Sequence, residues 1–303
     1  MTSRRASRPV LLYFEDERTS AKAIAHGADL NIGMIERHCF PDGEIKLRLP
    51  PSLPDKVVIL RTLNQPNEKL IELLLASQAA RSLGAKHLTL VAPYLAYMRQ
   101  DIAFIPGESV SQQIVGHFLA DLFDALITVD PHLHRVASLQ DAVPVANAIV
   151  LSGAAALSDL IAGRRQQPLL IGPDEESAQW LALAASHHGF EHAVCHKIRH
   201  GDRLVKVTLP SVAVKNRQVV LLDDVASTGQ TLAQAARLLL AAGAASVDVA
   251  VTHALFAGDA LQIILEAGVR EVWSTDCIIH PSNAVSMAST IAEALIQMNV
   301  ATA

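Results

Sequence analysis

The stretch VVLLDDVASTGQTL, residues 219–232, joins an apolar run to two adjacent carboxylates and then to a loop of Ser, Thr and Gly. The apolar, β-branched run predicts a buried strand, and the Ala- and Leu-rich residues after the loop predict a helix. Two adjacent carboxylates such as Asp223 and Asp224 are unfavourable in free energy at a buried strand end unless a metal ion, a positive group or hydroxyl groups bind them. The stretch therefore predicts a ligand at the carboxyl end of a strand in an α/β sheet.

The loop between this strand and the helix has the composition of a phosphate site. Its backbone N–H groups and the N-terminus of the following helix can hold a phosphate, while the two carboxylates accept hydroxyl groups. A helix cap by Asp224 or Ser227 is the alternative, but it leaves the paired acids unexplained. We expect a phosphorylated polyol, with these residues in the loop: Ser227, Thr228, Gly229, Gln230 and Thr231.

Composition limits the class of protein. The chain has 303 residues, of which 50% are hydrophobic and 18% charged, and this predicts about two domains with cores of their own. A net charge of −5 and a pI near 6.2 predict no binding to nucleic acid or to an anionic membrane. Three cysteines without metal-type spacing predict no disulfide framework, and no apolar run approaches the length of a membrane span. We expect a cytoplasmic protein.

Short apolar runs alternate with Ala- and Leu-rich stretches, which is typical of parallel strands joined by crossover helices. The boundary between two domains is predicted near residues 141–150, giving domains 1–145 and 146–303, with a closing helix over 286–298. Strands are predicted over 10–14, 57–62, 88–92, 126–129, 169–172, 193–195, 204–209, 219–222, 247–252 and 271–274.

Further motifs surround the predicted strands. FPDGEIKLRLP, residues 40–50, predicts a hairpin arm that, taken alone, is a solvated loop. Arg99, in VAPYLAYMRQD, offers a bidentate donor for phosphate, although a structural salt bridge explains it equally well. Asp130 and His132 follow one strand and Asp174 another, where oxygen and nitrogen ligands could help to hold Mg²⁺ with a nucleotide. Cations in HKIRHGDR, residues 196–203, could neutralise phosphoryl charge.

Taken together and in this order, the segments resemble the ribose-phosphate diphosphokinase family, the synthetases of phosphoribosyl diphosphate (PRPP). The paired acids and their loop alone are less specific, because phosphoribosyltransferases share them. The matching segments span residues 40–232: FPDGE, PNEKLIELLL, VAPYLAYMRQD, PGESVS, ITVDPH, GPDEES, HKIRHGD and VVLLDDVASTGQT.

The resemblance implies an α/β fold of two similar phosphoribosyltransferase-like domains, each a mainly parallel sheet flanked by helices. It implies transfer of the diphosphoryl group of Mg·ATP to the 1-hydroxyl of ribose 5-phosphate, giving PRPP and AMP. ATP would bind Phe40, Asp42, Glu44, Arg99 and Gln100, the first three from a neighbouring subunit, so that a homodimer or higher oligomer is expected. Ribose 5-phosphate would bind the paired acids and the phosphate loop. His132 and Asp174 would hold Mg²⁺, and Lys197 and Arg199 would be catalytic.

Two departures from the common bacterial pattern keep other functions open. Ile198 stands where a third basic residue is frequent, and Glu175 and Glu176 add negative charge beside a diphosphate site unless they point away or contact Mg²⁺. A catalytically silent regulatory homologue is therefore one alternative. A phosphoribosyltransferase that consumes PRPP is another, although FPDGE and RQD then have no role.

Overall fold

The computed structural model describes residues 8–133, 135–200 and 204–300, and at 197–200 and 204–207 it describes the backbone alone. The chain forms two compact units. The first contains the described residues up to Leu151 together with those from Ala288 onward, and the second is Ser152–Met287.

The first unit is a seven-stranded sheet flanked by helices. The strand order is β3-β2-β1-β4-β5-β6-β7, and every neighbouring pair is parallel except the hairpin of β2 and β3. Its elements are β1 (Val10–Phe14), α1 (Arg18–Gly27), β2 (Asn31–Cys39), β3 (Ile45–Arg48), β4 (Lys56–Leu60), α2 (Pro66–Ser82), β5 (His87–Ala92), α3 (Ser111–Leu122), β6 (Ala125–Val129), α4 (Leu139–Ala142) and β7 (Asn147–Leu151).

The second unit is a six-stranded parallel sheet in the order β15-β14-β13-β12-β8-β9, with a separate antiparallel ribbon of β10 and β11. Its elements are α5 (Ala154–Arg164), β8 (Leu169–Gly172), α6 (Ala178–His188), β9 (His192–Val194), β10 (His196–His200), β11 (Leu204–Thr208), β12 (Gln218–Ala226), α7 (Gln230–Ala241), β13 (Ser246–Ala254), α8 (Ala260–Glu266), β14 (Val272–Thr275) and β15 (Asn283–Val285). A last helix, α9 (Ala288–Gln297), belongs to the first unit.

The central strands are apolar throughout because helices cover both faces of each sheet. In β12, Val219 and Leu221 belong to the core on one face, while Val220 and Leu222 belong to the core on the other. This is the alternation of a strand with two buried faces. The prediction of an α/β fold with two mainly parallel sheets flanked by helices is confirmed.

The division of the chain differs from the predicted boundary in two ways. β7 pairs with β6 and so completes the first sheet, which places the division after Leu151 and not after residue 145. Helix α9, predicted to belong to the second domain, packs on α1, where a Cβ added at Gly27 would lie 2.8 Å from Ala292 Cβ. The apolar side chains of α9 are buried, and burying them against α1 gives them a core that the sequence order did not indicate.

Candidate active site

In the second sheet β8 lies between β9 and β12. The chain leaves β8 in one direction to form β9 and later crosses to the other side of β8 to form β12, which is a reversal of strand order. In parallel α/β sheets such a reversal opens a crevice at the carboxyl ends of the strands, where ligands bind. Asp174 follows β8, and Asp223 and Asp224 lie in the second half of β12. The expectation that the two acids follow the strand was wrong by a few residues. Strand β12 continues to Ala226 because β13 continues beside it to Ala254.

A glycine-containing loop connects β12 to α7. Gly229 has φ +72°, and a Cβ added there would lie 2.8 Å from the carbonyl oxygen of Ala260, so that both conformation and space require glycine. The segment before α8 holds the loop, since Ala257 N donates to Ser227 O at 2.9 Å. Thr228 and Gln230 are exposed, and α7 begins at Gln230. Its first N–H groups have no partner within the helix, which makes this end of α7 suitable for a phosphate.

The acids beside this loop influence one another. Asp224 and Asp174 are 2% and 8% exposed, and Asp224 N donates to Asp223 Oδ1 at 3.0 Å. Removal from water, followed by the negative charges of Asp224 and Asp174, raises the pKa of Asp223 well above its ordinary value. A cation or a hydroxyl group would relieve this crowding, and carboxylate oxygens are the ligands that Mg²⁺ prefers. The cluster therefore fits a divalent cation together with a polyol.

The turn after β8 contains Asp174 and the two glutamates that follow it, and the structure gives the side-chain contact of Glu175. Asp174 Oδ1 accepts a hydrogen bond from Glu176 N at 3.2 Å, and the Asp174 carbonyl accepts one from Ser177 Oγ at 2.6 Å. The side chain of Glu175 contacts His196, with Oε1 3.0 Å from Nδ1. Glu175 therefore joins the turn to the first residue of the β10–β11 ribbon.

The thiol beside this turn is unreactive. Cys195 is buried, and its N–H donates to Gly172 O at 2.8 Å. Burial, with the charges of Asp174 and Glu175, raises the pKa of Cys195 to about 12, so the thiol stays protonated at neutral pH.

The predicted catalytic residues lie in the ribbon. Lys197 pairs with Val207 and Arg199 with Val205 in the antiparallel register of β10 and β11. Strands were predicted only up to residue 195 and again from residue 204, but these cations are part of a strand, because the mixed segment 204–208 pairs with them. The side chains of Lys197 and Arg199 lie outside what the structure describes.

The predicted ATP residues near the N-terminus lie on the hairpin of β2 and β3. Phe40, Asp42 and Glu44 are exposed in its turn, where Phe40 N donates to Glu44 O at 2.7 Å. Asp42 Oδ1 accepts from Glu44 N at 3.2 Å, and Gly43 takes φ +92°. The predicted hairpin arm is confirmed, and its turn presents an aromatic ring and two carboxylates to the surroundings.

The remaining predicted residues of the first unit follow β5 and β6, which are parallel neighbours. Arg99 is exposed, and Gln100 Oε1 accepts from Ser111 Oγ at 2.8 Å. His132 follows β6 and is partly buried. A pair that the sequence analysis did not single out connects the two loops: buried Asp101 accepts from Arg135 NH1 at 2.7 Å and from Arg135 N at 3.2 Å. In the sequence, Asp101 ends RQD and Arg135 ends VDPHLHR, so both charged residues stood in motifs that follow predicted strands.

The structure thus brings Asp174, Asp223, Asp224 and the phosphate loop together within the second unit. It places Arg99, Gln100 and His132 at the carboxyl edge of the first sheet. The predicted Mg²⁺ pair, His132 and Asp174, is divided between the two units.

Two α/β units on parallel sheets, the second with paired acids ahead of a glycine-containing loop, define a protein of the phosphoribosyltransferase class. Residues 141–267 match the profile of the phosphoribosyl transferase domain, and residues 10–122 match that of the N-terminal domain of ribose phosphate pyrophosphokinase. The chain belongs to the ribose-phosphate pyrophosphokinase family, as the resemblance predicted.

Relatives match over almost the whole chain. The ribose-phosphate pyrophosphokinase of Methanopyrus kandleri is 35% identical over 90% of this chain and 94% of its own length. Ribose-phosphate pyrophosphokinase 2 of Archaeoglobus fulgidus is 34% identical over 90% and 95%. The crystal structure of phosphoribosylpyrophosphate synthetase from Mycobacterium smegmatis is 25% identical, with a TM-score of 0.81 over 96% of this chain and 100% of that one. Within the described residues, every helix is too short or too polar to cross a membrane.

Proposed function

We propose that this protein transfers the diphosphoryl group of ATP to the 1-hydroxyl of ribose 5-phosphate, giving PRPP and AMP. The observation that carries the proposal is the placement of Asp174, Asp223 and Asp224 beside the Gly229 loop at the carboxyl edge of the second sheet. The names of its relatives along the whole chain support the same reaction.

The acceptor would be bound at both ends. Its 5-phosphate would receive backbone N–H groups from Ser227 to Thr231 and from the start of α7, and its ring hydroxyls would donate to Asp223 and Asp224. Because burial and neighbouring charges raise the pKa of Asp223, hydroxyl donors stabilise its carboxylate more than they would stabilise an exposed one. Binding at two ends orients the 1-hydroxyl, and orientation is a large part of catalysis in phosphoryl transfer.

The reaction forms a bond from the 1-hydroxyl oxygen to the β-phosphorus and breaks the bond from that phosphorus to the oxygen that leaves with AMP, while the hydroxyl proton is lost. Lys197 and Arg199 would neutralise the charge that develops on the phosphates. Asp174 and the paired acids would hold Mg²⁺ within the second unit, and His132 stays a predicted Mg²⁺ residue of the first unit. When bound, Mg²⁺ would supply charge neutralisation and hold the diphosphate oxygens.

ATP would be held by Arg99 and Gln100 and by the β2–β3 hairpin. Because the turn with Phe40, Asp42 and Glu44 is exposed, we propose that it reaches the nucleotide of a neighbouring subunit in a homodimer or higher oligomer. Cytoplasmic location is part of the same proposal, since ATP is its substrate.

The silent homologue had two supports in the sequence. One of them was the negative charge of Glu175 and Glu176, and of this pair the side chain of Glu175 contacts His196, while Asp174 acts on the pKa of Asp223. We therefore favour an active enzyme over the silent homologue. Nucleotide binding without any turnover would restore the silent homologue, and PRPP-dependent base transfer would restore the phosphoribosyltransferase.

The test is an assay of purified protein with ATP, Mg²⁺ and a set of sugar phosphates, in which the nucleotide product is identified. AMP formation that requires ribose 5-phosphate is the expected result, whereas ADP would mean transfer of a single phosphoryl group. Asp224→Asn should lower kcat/KM about 10- to 100-fold, the loss expected for one hydrogen bond to a charged group worth about 1.5–3 kcal/mol. Asp259→Asn, an exposed acid in the same unit, is the matched control and should be unchanged.

A further inference from the structure

Three side chains that the proposed reaction does not use meet on the outer surface of the second unit. Asp159 lies on α5, and His187 and His188 are the last two residues of α6. Asp159 Oδ1 lies 3.0 Å from His187 Nε2 and 2.7 Å from His188 Nε2. One carboxylate oxygen and two imidazole nitrogens therefore lie within 4.8 Å of one another.

The two helices hold these side chains in place. Ser158, next to Asp159 in sequence, is fully buried, and its Oγ donates to the Ala184 carbonyl of α6 at 2.6 Å. Gly189 ends α6 with φ +69° immediately after His188. The ring of His188 also contacts the Phe190 ring, with the centroids 5.5 Å apart. The backbone positions of the three ligands are thus set by packing that does not depend on the ligands themselves.

The ligand set has a defined chemical preference. Two imidazoles and one carboxylate form a common three-residue site for Zn²⁺, with water in the fourth position. Ligand atoms about 2.0–2.2 Å from a tetrahedral ion are about 3.3 Å apart. The two contacts of 3.0 and 2.7 Å need to open by less than about 1 Å, and the two histidine nitrogens, which lie within 4.8 Å of each other, need to close by up to about 1.5 Å. Rotation of these exposed side chains can supply both changes. Mg²⁺ prefers oxygen ligands and would compete poorly for this set.

We propose that Asp159, His187 and His188 form a Zn²⁺ site that joins α5 to α6. The alternative is that the two histidines only hydrogen-bond to the aspartate, which would contribute little at an exposed position. The two readings differ in the response to metal: a hydrogen-bonded pair is indifferent to Zn²⁺, whereas a metal site gains stability by mass action as Zn²⁺ binds to the folded chain.

The experiment uses the full chain without a histidine tag, stripped with EDTA and titrated calorimetrically with Zn²⁺ in the presence of excess Mg²⁺. The variants are His188→Gln and Asp159→Asn, which keep size and hydrogen bonding but remove a ligand. The matched control is His192→Gln, an exposed histidine of the same unit that is not part of the cluster.

Wild type and His192→Gln should bind one high-affinity Zn²⁺ with a raised thermal midpoint, reversed by EDTA. His188→Gln and Asp159→Asn should bind at least about tenfold more weakly, with no shift in midpoint. Substitution with Co²⁺ should give the visible absorption of a tetrahedral site in wild type and not in His188→Gln. Equal Zn²⁺ affinity in wild type, His188→Gln and Asp159→Asn, or no binding by wild type, would overturn the proposal.

Discussion

Each unit has a crevice at the same point of its sheet topology, but different charged side chains lie in the two crevices. In the first sheet β1 is flanked by β2 and β4, so the chain reverses between β1 and β4 as it does between β8 and β12 in the second. In the second unit this crevice holds Asp174, Asp223 and Asp224, and the charges of the other two acids raise the pKa of Asp223. In the first unit it holds Arg61, which is 1% exposed and surrounded by acids.

Arg61 forms ion pairs inside the first crevice, which we call the closed crevice for that pairing, although Arg61 and Glu72 still line a pocket. The crevice of the second unit is called the open crevice. Its Nε donates to Glu72 Oε2 at 2.7 Å and its NH1 to Asp16 Oδ2 at 2.8 Å. Its guanidinium carbon lies 4.5 Å from the centroid of the Phe14 ring. Glu17, also buried, accepts from Thr62 N at 2.5 Å. Arg61 and Glu72 are thus paired within the protein, while Glu17 Oε2 is buried without a hydrogen bond.

The loops that follow β4 and β12 differ in the same sense. Both end in a left-handed residue before a helix, Gln65 with φ +52° and Gly229 with φ +72°. In the first unit Pro66 removes an N–H at the start of α2, and Lys69 Nζ donates to Thr62 O at 2.8 Å and to Asn64 Oδ1 at 2.6 Å. In the first unit Lys69 thus binds the loop after β4, whereas in the second unit we expect the loop after β12 to bind a phosphate.

The largest effect should come from opening the closed crevice. Arg61→Met keeps the length of the side chain but leaves Glu17 buried without its main cation and Glu72 paired with Arg37 alone. We expect the free energy of unfolding to fall by about 3–5 kcal/mol, the cost of breaking a buried ion pair. Urea unfolding followed by circular dichroism would measure it. Arg48→Met, which removes an exposed pair with Glu36, should cost under about 1 kcal/mol. Equal losses in the two variants would contradict the comparison.

The second effect is the pH dependence of the closed crevice. Burial, opposed by Arg61, raises the pKa of Glu17 to about 7 in the folded protein, against about 4.5 for the free side chain. A raised carboxyl pKa gives stability that is complete below about pH 4.5 and lost as the pH rises toward 7.

Wild type should therefore lose about 3 kcal/mol relative to Glu17→Gln between these two pH values, and the difference should be flat on either side. Unfolding midpoints in urea across the pH series would measure it. A constant difference between the two proteins would mean that Glu17 is ionised throughout.

The third prediction concerns the open loop. Gly229→Ala places a Cβ close to the Ala260 carbonyl in a left-handed conformation, and we expect a loss of about 1–3 kcal/mol. Because the displaced loop would no longer aim its N–H groups, KM for ribose 5-phosphate should rise more than KM for ATP. Gly163→Ala in α5, which meets no atom within 4 Å, should be neutral or stabilising. A Gly229→Ala enzyme with unchanged KM for both substrates would remove the loop from the acceptor site.

The fourth prediction uses the crowding of the open crevice. Asp224→Asn removes one of the charges that raise the pKa of Asp223, so we expect the thermal midpoint to rise while activity falls. The gain should be on the order of 1 kcal/mol, since one buried like-charge contact is relieved. Differential scanning calorimetry of the variant beside Asp259→Asn measures it. A fall in midpoint would indicate that Asp224 has a structural role instead.

The smallest effect should come from Glu175. Its exposed pair with His196 predicts a coupling of about 0.2–1 kcal/mol in a double-mutant cycle of Glu175→Gln and His196→Asn. The Mg²⁺ concentration for half-maximal rate should stay unchanged in Glu175→Gln. A large shift in this Mg²⁺ concentration would indicate that Glu175 binds the metal and belongs with the acids of the open crevice.

Local pattern was enough to predict the open crevice and not the closed one. The run 219–222, the paired acids and the Gly229 loop are consecutive, so alternation and turn chemistry report them directly. Arg61 meets Asp16, which is 45 residues away, and Glu72, which is 11 residues away. Nothing in RTLNQP indicates that its arginine is buried. The strand β10 escaped prediction for a related reason: HKIRH is polar, and only pairing with β11 makes it a strand.

The sequence by itself determined most of the parallel strands, though not β2, β7 or β15, together with the acids and loop of the second unit, the hairpin arm and the family. These rest on periodicity and on ordered short motifs. Only the tertiary structure decided that α9 packs with the first unit, that Glu175 contacts His196, and that Asp159 meets two histidines. Each of these depends on which surfaces are buried against each other across long separations in sequence. Burial is a property of the packed chain, and the residues that it brings together carry no local mark of their partners.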